Sequence, residues 1–199
     1  MNFVILIGAI ALWGIVHSWL ASFEVKGLWS RSFGKNAMRV YRLAYNVFAV
    51  VSFAPILLLM RLLPDQNLYA VSAPWLYLML AGQGLSAILL LVGVLQTDTL
   101  SFIGLRQLIV PDEDAGTLVT SGLYRLVRHP LYLFGLLFNW LTPIMTVNLL
   151  IVYIALTIYI FVGAYFEERK LLREFGQTYA DYKSRTPMVI PGLIFRRSK

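Results

Sequence analysis

Five apolar runs, each about as long as a bilayer is thick, constrain this chain more than any other feature. They cover approximately residues 2–23, 41–63, 74–96, 131–147 and 148–166. A helix crosses a hydrocarbon core of roughly 30 Å in about 20 residues. No water reaches the backbone there, so each segment must close its own hydrogen bonds, which a helix does within itself. The predicted fold is therefore all-α: an integral membrane bundle of five transmembrane helices. Composition agrees, since 59% of the 199 residues are hydrophobic and only 14% are charged, too apolar for an ordinary soluble domain. Phe3 to Leu20 has no basic stretch before it and no small-residue cleavage site after it, so it reads as a retained span and not a signal peptide.

Lysine and arginine in short loops set orientation. Every one of them except Arg61 falls after span one, three or five. This places the N-terminus outside and the C-terminus in the cytoplasm, as expected for a multi-pass protein of a bacterial inner membrane. The formal net charge of +7 follows from that topology and from contact with anionic membrane lipids. Nothing in the sequence has the pattern of a nucleic-acid binder. With no cysteine, disulfides, thiolate metal sites and cysteine nucleophiles are excluded, and no residues are assigned to a metal.

One membrane domain is expected, with residues 1–96 as a three-helix scaffold and 97–192 as the functional half. The latter holds a helical hairpin, 131–166, turning at Thr142-Pro-Ile-Met-Thr-Val-Asn148. The connection from Thr97 to His129 is long enough to be functional or disordered. After Glu167, Leu171, Leu172, Phe175, Tyr179 and Tyr182 recur at helical spacing, which predicts a C-terminal interfacial amphipathic helix placed as a lid.

Two polar blocks flank that hairpin and so share one side of the bilayer. The first is Thr117-Leu-Val-Thr-Ser-Gly-Leu-Tyr-Arg-Leu-Val-Arg-His-Pro-Leu-Tyr132. Proline favours the first helical position, so Pro130 makes His129 the N-cap of span four. The amides of Leu131 and Tyr132 are then expected to be free, and with the helix dipole they suit a carboxylate. Tyr124 and Tyr132 offer ring faces to an adenine or a cation. Tyr132, Gly135 and Asn139 share a helical face, which makes Asn139 a candidate for acceptor contact. The second block opens with Glu167-Glu168. Adjacent helical residues point about 100° apart, so one carboxylate can face a wet pocket while the other takes an ionic partner such as Arg128. Taken singly, Arg128, His129 and Tyr132 are ordinary interface anchors, and the glutamates a solvated cluster. The small-residue stripe around Gly82-Gln-Gly84 and Gly93 reads as helix packing. His17, on span one, reads as a structural histidine or an intramembrane functional group.

Leu118-Val-Thr-Ser-Gly-Leu-Tyr124, Arg128-His-Pro-Leu-Tyr132, Glu167-Glu168, and Phe175-Gly-Gln-Thr-Tyr-Ala-Asp-Tyr182 with Pro187 and Pro191 together resemble the isoprenylcysteine carboxyl methyltransferase superfamily. The resemblance covers about residues 97–192. It implies an integral membrane methyltransferase using S-adenosylmethionine. Cofactor contacts are implied at Gly116, Thr117, Leu118, Val119, Tyr124, His129, Pro130, Leu131 and Tyr132, with a catalytic, substrate-side role for Glu167. Gly163 departs from the eukaryotic branch, which carries a substrate-binding arginine there. Phe102-Ile-Gly-Leu-Arg-Gln107 and Thr142-Pro-Ile-Met-Thr146 look like segments of the bacterial methanethiol S-methyltransferase branch. A small or lipophilic acceptor is therefore implied, either a thiol or an isoprenylcysteine carboxylate, with oligomeric state open. His17-Ser-Trp-Leu-Ala-Ser22 also looks like a branch containing heme-dependent carotenoid isomerases. The alternatives are thus a membrane heme protein with His17 or His129 as axial ligand, and a lipid-binding membrane protein without catalysis.

Overall fold

The computed structural model describes residues 2–97 and 117–192, in which all the long elements are helical. The segments 102–107 and 111–116, with Arg106 and Gly116, lie outside the described residues. Four of the described helices are long and apolar enough to cross a membrane. The chain forms two compact units.

The first unit contains α1 (Asn2–Ala21), α2 (Phe23–Leu62) and the start of α5 (Val147–Arg185). Ile10, Ile56 and Val152 meet in its core. Polar groups within the pair of spans find one another, as a low-dielectric interior requires. Trp13 Nε1 donates to Ser52 Oγ at 3.0 Å, and Tyr45 Oη lies 2.6 Å from His17 Nε2. The His17 ring also stacks on Trp13 at 4.8 Å. The basic stretch read as a loop before span two is helical and belongs to α2, broken only at Gly34, whose φ of 79° favours glycine. At the end of α2, Asn148 is 2% exposed, and its amide donates to the carbonyls of Met60, Leu63 and Pro64. Beside this cap β1 (Asn67–Ala70) pairs with β2 (Ile144–Thr146), two short strands that hydropathy does not signal.

The second unit contains α3 (Trp75–Gln96), a 3-10 turn (Gly122–Arg125), α4 (Pro130–Trp140) and the rest of α5. Glycine lets α3 and α4 approach. A Cβ on Gly82 would stand 2.7 Å from Leu141 Cδ1, and one on Gly93 2.8 Å from Leu131 Cδ2. The small-residue stripe is thus helix packing at these two positions.

The hairpin differs from expectation in both arms. The predicted span 131–147 holds an α-helix of 11 residues, about 16 Å long and too short to cross alone. Pro143 disfavours helical geometry at Thr142, and the N–H groups of Leu141 and Thr142 turn back onto Leu137 and Asn139. The chain then enters β2. Conversely, α5 has 39 residues, about 58 Å of helix and roughly twice the hydrocarbon thickness. The helix expected as a separate interfacial element after Glu167 is its continuation, redirected at Gly176 (φ 52°, ψ −127°).

Candidate functional site

The mouth of α4 is built by a turn that only glycine permits. Gly122 has φ 60°, and a Cβ on it would overlap the Gln96 amide. Gln96 Oε1 accepts the Leu123 N–H at 2.8 Å, anchoring the turn that carries Tyr124 to the end of α3. Five residues after the turn ends at Arg125, Pro130 starts α4 with His129 at the N-cap. The His129 side chain makes no capping bond; its carbonyl instead accepts the amides of Tyr132 and Leu133, each at 3.1 Å. The Tyr132 amide is therefore occupied, contrary to the sequence reading. Among the described residues, the Leu131 N–H has no protein acceptor.

A strap from beyond α5 fixes this turn. The N–H groups of Arg128 and His129 donate to the carbonyls of Pro187 and Met188 at 2.9 and 3.0 Å. The Arg128 guanidinium donates to the carbonyls of Thr186 and Lys183, the latter at 3.1 Å. Tyr182 Oη donates to the Tyr124 carbonyl.

The two glutamates divide. Glu168 is 5% exposed and surrounded by cations: Arg128 Nε donates to its Oε1 at 2.6 Å, Arg128 Nη2 joins, and Lys183 Nζ lies 2.6 Å from Oε2. Tyr179, 1% exposed, donates to Oε1 at 3.4 Å. Glu167, with a side chain 43% exposed, accepts from Tyr132 Oη at 2.8 Å. His129, 6% exposed, sits between them: Nδ1 is 3.5 Å from Glu167 Oε2 and Nε2 is 3.6 Å from Glu168 Oε1. Its ring stacks on Tyr132 at 5.2 Å, yet Nε2 is buried with no partner at hydrogen-bond distance. Burial, and then the charge of Glu167, push the Tyr124 phenol up to about 12, so it stays protonated at neutral pH.

Tyr124, His129, Tyr132 and Glu167 are thus brought together, with Pro130 and Leu131 at the same helix start. Thr117, Leu118 and Val119 form an irregular stretch before the turn, and no hydrogen bond ties them to this cluster among the described residues. Gly116 lies outside the described residues. Asn139 sits two turns deeper on α4, and the Gly163 position is open, with nothing within 4 Å of a built Cβ. Lys183, Thr186 and Met188 had no role in the sequence reading, where Pro187 entered only as part of the family resemblance. His17 belongs to the first unit.

A family model described as Phospholipid methyltransferase matches residues 79–178, which include the whole hairpin and both glutamates. Methanethiol S-methyltransferase 2 of Bradyrhizobium diazoefficiens is 47% identical over 104 residues, covering 50% of this chain and 40% of that protein. Methanethiol S-methyltransferase of Crocosphaera subtropica is 30% identical over 196 residues, covering 93% of this chain and 73% of that protein. Protein-S-isoprenylcysteine O-methyltransferase of Mus musculus is 40% identical over 82 residues, covering 39% and 29%. The chain thus spans between about a third and three quarters of the lengths of these relatives. No solved structure gives a significant match.

Proposed function

The chain belongs to the phospholipid methyltransferase family, and from that premise we propose that it transfers a methyl group from S-adenosylmethionine to a small or lipophilic thiol. The observation that carries this reading is the division of the glutamates. Glu168 is neutralised by Arg128 and Lys183, which leaves Glu167 as a half-exposed carboxylate beside His129, Tyr132 and Tyr124.

These residues suit the cofactor. The Leu131 N–H at the start of α4 and the buried His129 Nε2 have no hydrogen-bond partner among the described residues, and a helix N-terminus favours a carboxylate. Tyr124 and Tyr132 present aromatic faces to an adenine or a sulfonium. When bound, the cofactor supplies a methyl group made electrophilic by a positively charged sulfur. An acceptor sulfur held beside Glu167 would take that methyl group, a thiolate and a sulfonium giving two neutral thioethers. Catalysis then consists mainly of alignment and exclusion of water. Glu167 holds the acceptor, and takes its proton if it arrives as a thiol. Tyr132 Oη fixes the carboxylate, and the protonated Tyr124 lies beside it. The charge bias of the loops supports a cytoplasmic face for this site.

Labelled S-adenosylmethionine, given to the purified protein in lipid with methanethiol, a farnesylcysteine or phosphatidylethanolamine, tests the reading. Saturable cofactor binding and labelled thioether are expected. No binding, or label only on the carboxylate or the amine, overturns it.

A further inference from the structure

Four aromatic rings bound one cavity in the first unit. Among the described residues, Trp29, Tyr41, Tyr45 and Phe48 line a space of about 150 Å³, with Leu20 and Ala44 completing its wall. Tyr41, Ala44, Tyr45 and Phe48 follow the i, i+3, i+4, i+7 spacing of a single helical face, in the first turns of the apolar part of α2, Val40–Leu62. Leu20 stands in the last turn of α1, so the cavity lies where one apolar segment ends and the next begins. Trp29 belongs to the part of α2 before the break at Gly34, and its Nε1 donates across that break to the Ala37 carbonyl at 3.1 Å. None of these residues falls in the stretch 79–178 that the family model matches.

What the cavity offers a ligand is aromatic surface and few free polar groups. The Tyr41 hydroxyl donates to the Leu20 carbonyl, Tyr45 Oη lies 2.6 Å from His17 Nε2, and the Trp29 N–H is taken by Ala37. A primary ammonium brings three N–H donors that need acceptors. A quaternary ammonium brings none and is attracted by the ring quadrupoles. Size agrees: a cavity of about 150 Å³ holds benzene, and a trimethylammonium group with its first methylene has one heavy atom fewer. The sequence from Phe23 to Arg42 carries Lys26, Arg31, Lys35, Arg39 and Arg42 against Glu24 alone. That surplus disfavours a bare cation and favours one whose neighbouring group is an anion.

A second cavity continues the first. Ala44 and Phe48 belong to both, and Leu43, Val47 and Val51 extend the space as an apolar groove of about 500 Å³ along α2. Ala44 to Val51 is about 10 Å of helix, leading into the apolar segment. An aromatic cage, a surplus of cations and an apolar groove match the ammonium, the phosphate and an acyl chain of one molecule. We infer that the first unit binds a phospholipid with a phosphocholine head, its trimethylammonium group among Trp29, Tyr41, Tyr45 and Phe48 and an acyl chain in the groove. Such a lipid is a resident ligand and not a methyl acceptor, so it is expected whether or not the protein methylates thiols.

Native mass spectrometry tests this on the purified protein, released from micelles holding equimolar phosphatidylcholine, phosphatidylethanolamine and phosphatidylglycerol with the same acyl chains. Wild type should retain phosphatidylcholine over phosphatidylethanolamine by about fivefold or more, the scale of a cation–ring contact. Ala44→Leu, which fills the wall common to both cavities, should bring that ratio to about one. Phe48→Leu removes a ring and should lower the ratio at least twofold, whereas Phe48→Tyr should keep it. Phe138→Leu is the control, because that ring lies on α4 and is as exposed as Phe48, 41% each; the ratio should not change. An even ratio in wild type overturns the site, as does a full ratio in Ala44→Leu or Phe48→Leu, or an equal loss in Phe138→Leu. Phosphatidylglycerol retained above both other lipids would show the cations acting without the cage, and overturns it too. Should Ala44→Leu fail to fold, the contrast between Phe48→Leu and Phe48→Tyr decides.

Discussion

Replacing Glu168 by glutamine should unfold what replacing Glu167 only disables. The two substitutions are the same chemical change at adjacent positions, so their contrast isolates environment. Glu168 is 5% exposed, and its carboxylate is the counter-ion of Arg128, itself 9% exposed. Removing one partner of a buried pair typically costs about 3–5 kcal/mol, because the other charge is left uncompensated. Lys183, whose side chain is 40% exposed, can turn to water and adds little. For a chain of this length about 1 kcal/mol corresponds to roughly 2–4 °C in Tm, so Glu168→Gln should melt roughly 6–20 °C below wild type. Glu167 has a side chain 43% exposed, and glutamine there still accepts the Tyr132 hydroxyl. Its cost in stability should stay within about 1 kcal/mol, while turnover with a protonated acceptor falls by about 10²–10⁴-fold. Tryptophan fluorescence on heating in lipid–detergent micelles reads the first quantity, and labelled-methyl transfer reads the second. Equal melting temperatures for the two variants, or a larger fall in Glu167→Gln, would refute the assignment of structural and functional roles.

Gly122→Ala should cost about 1–2 kcal/mol for the positive φ alone, and more because its methyl overlaps the Gln96 amide. Since that turn carries Tyr124, equilibrium dialysis should show cofactor affinity falling with stability. Asp65 supplies a pH dependence. Burial pushes its carboxyl up, but hydrogen bonds from the Asn148 amide, the Thr146 hydroxyl and the Gln66 and Val147 amides outweigh that and hold it below the usual range. A depressed folded value contributes stability above the unfolded pKa of about 3.9, and that stability is lost as pH falls through the folded value. Asp65→Asn should therefore melt below wild type at pH 7, by under about 1 kcal/mol for so exposed a group. The gap should close as pH drops below about 4, and a gap that widens on acidification refutes the sign.

Four of the five apolar runs were legible as long apolar helices, because a 20-residue apolar run has few solutions in hydrocarbon. α1 and α3 follow their runs closely, since nothing in either run opposes the helix. The short α4 was not legible. Hydropathy continues through Leu141 to Val147, but Pro143 and the pairing of β2 with β1 end the helix. That partner strand lies far away in sequence, so no local window contains the signal. The strap was hidden for a similar reason. Pro187 and Met188 act through main-chain carbonyls, which every residue carries, and so leave no side-chain pattern to read. The Glu-Glu pair was legible in part: helical geometry predicts that the two diverge. Which of them is buried depends on Lys183 and Thr186, reached through the break at Gly176.

That division explains how a membrane helix tolerates two adjacent carboxylates. A lone carboxylate near hydrocarbon is costly, and a pair is worse through repulsion. Here Arg128 answers Glu168 with two guanidinium nitrogens while its third reaches the carbonyls of Thr186 and Lys183. A planar fork can meet a carboxylate and main-chain acceptors together, whereas a lysine presents a single ammonium centre. The same side chain therefore offsets the buried charge and ties down the segment whose Pro187 and Met188 carbonyls hold the amides of Arg128 and His129. His129 is positioned from both sides, by the strap through its backbone and by the glutamates through its ring. With Arg128 committed to Glu168, Glu167 faces a histidine and two tyrosines.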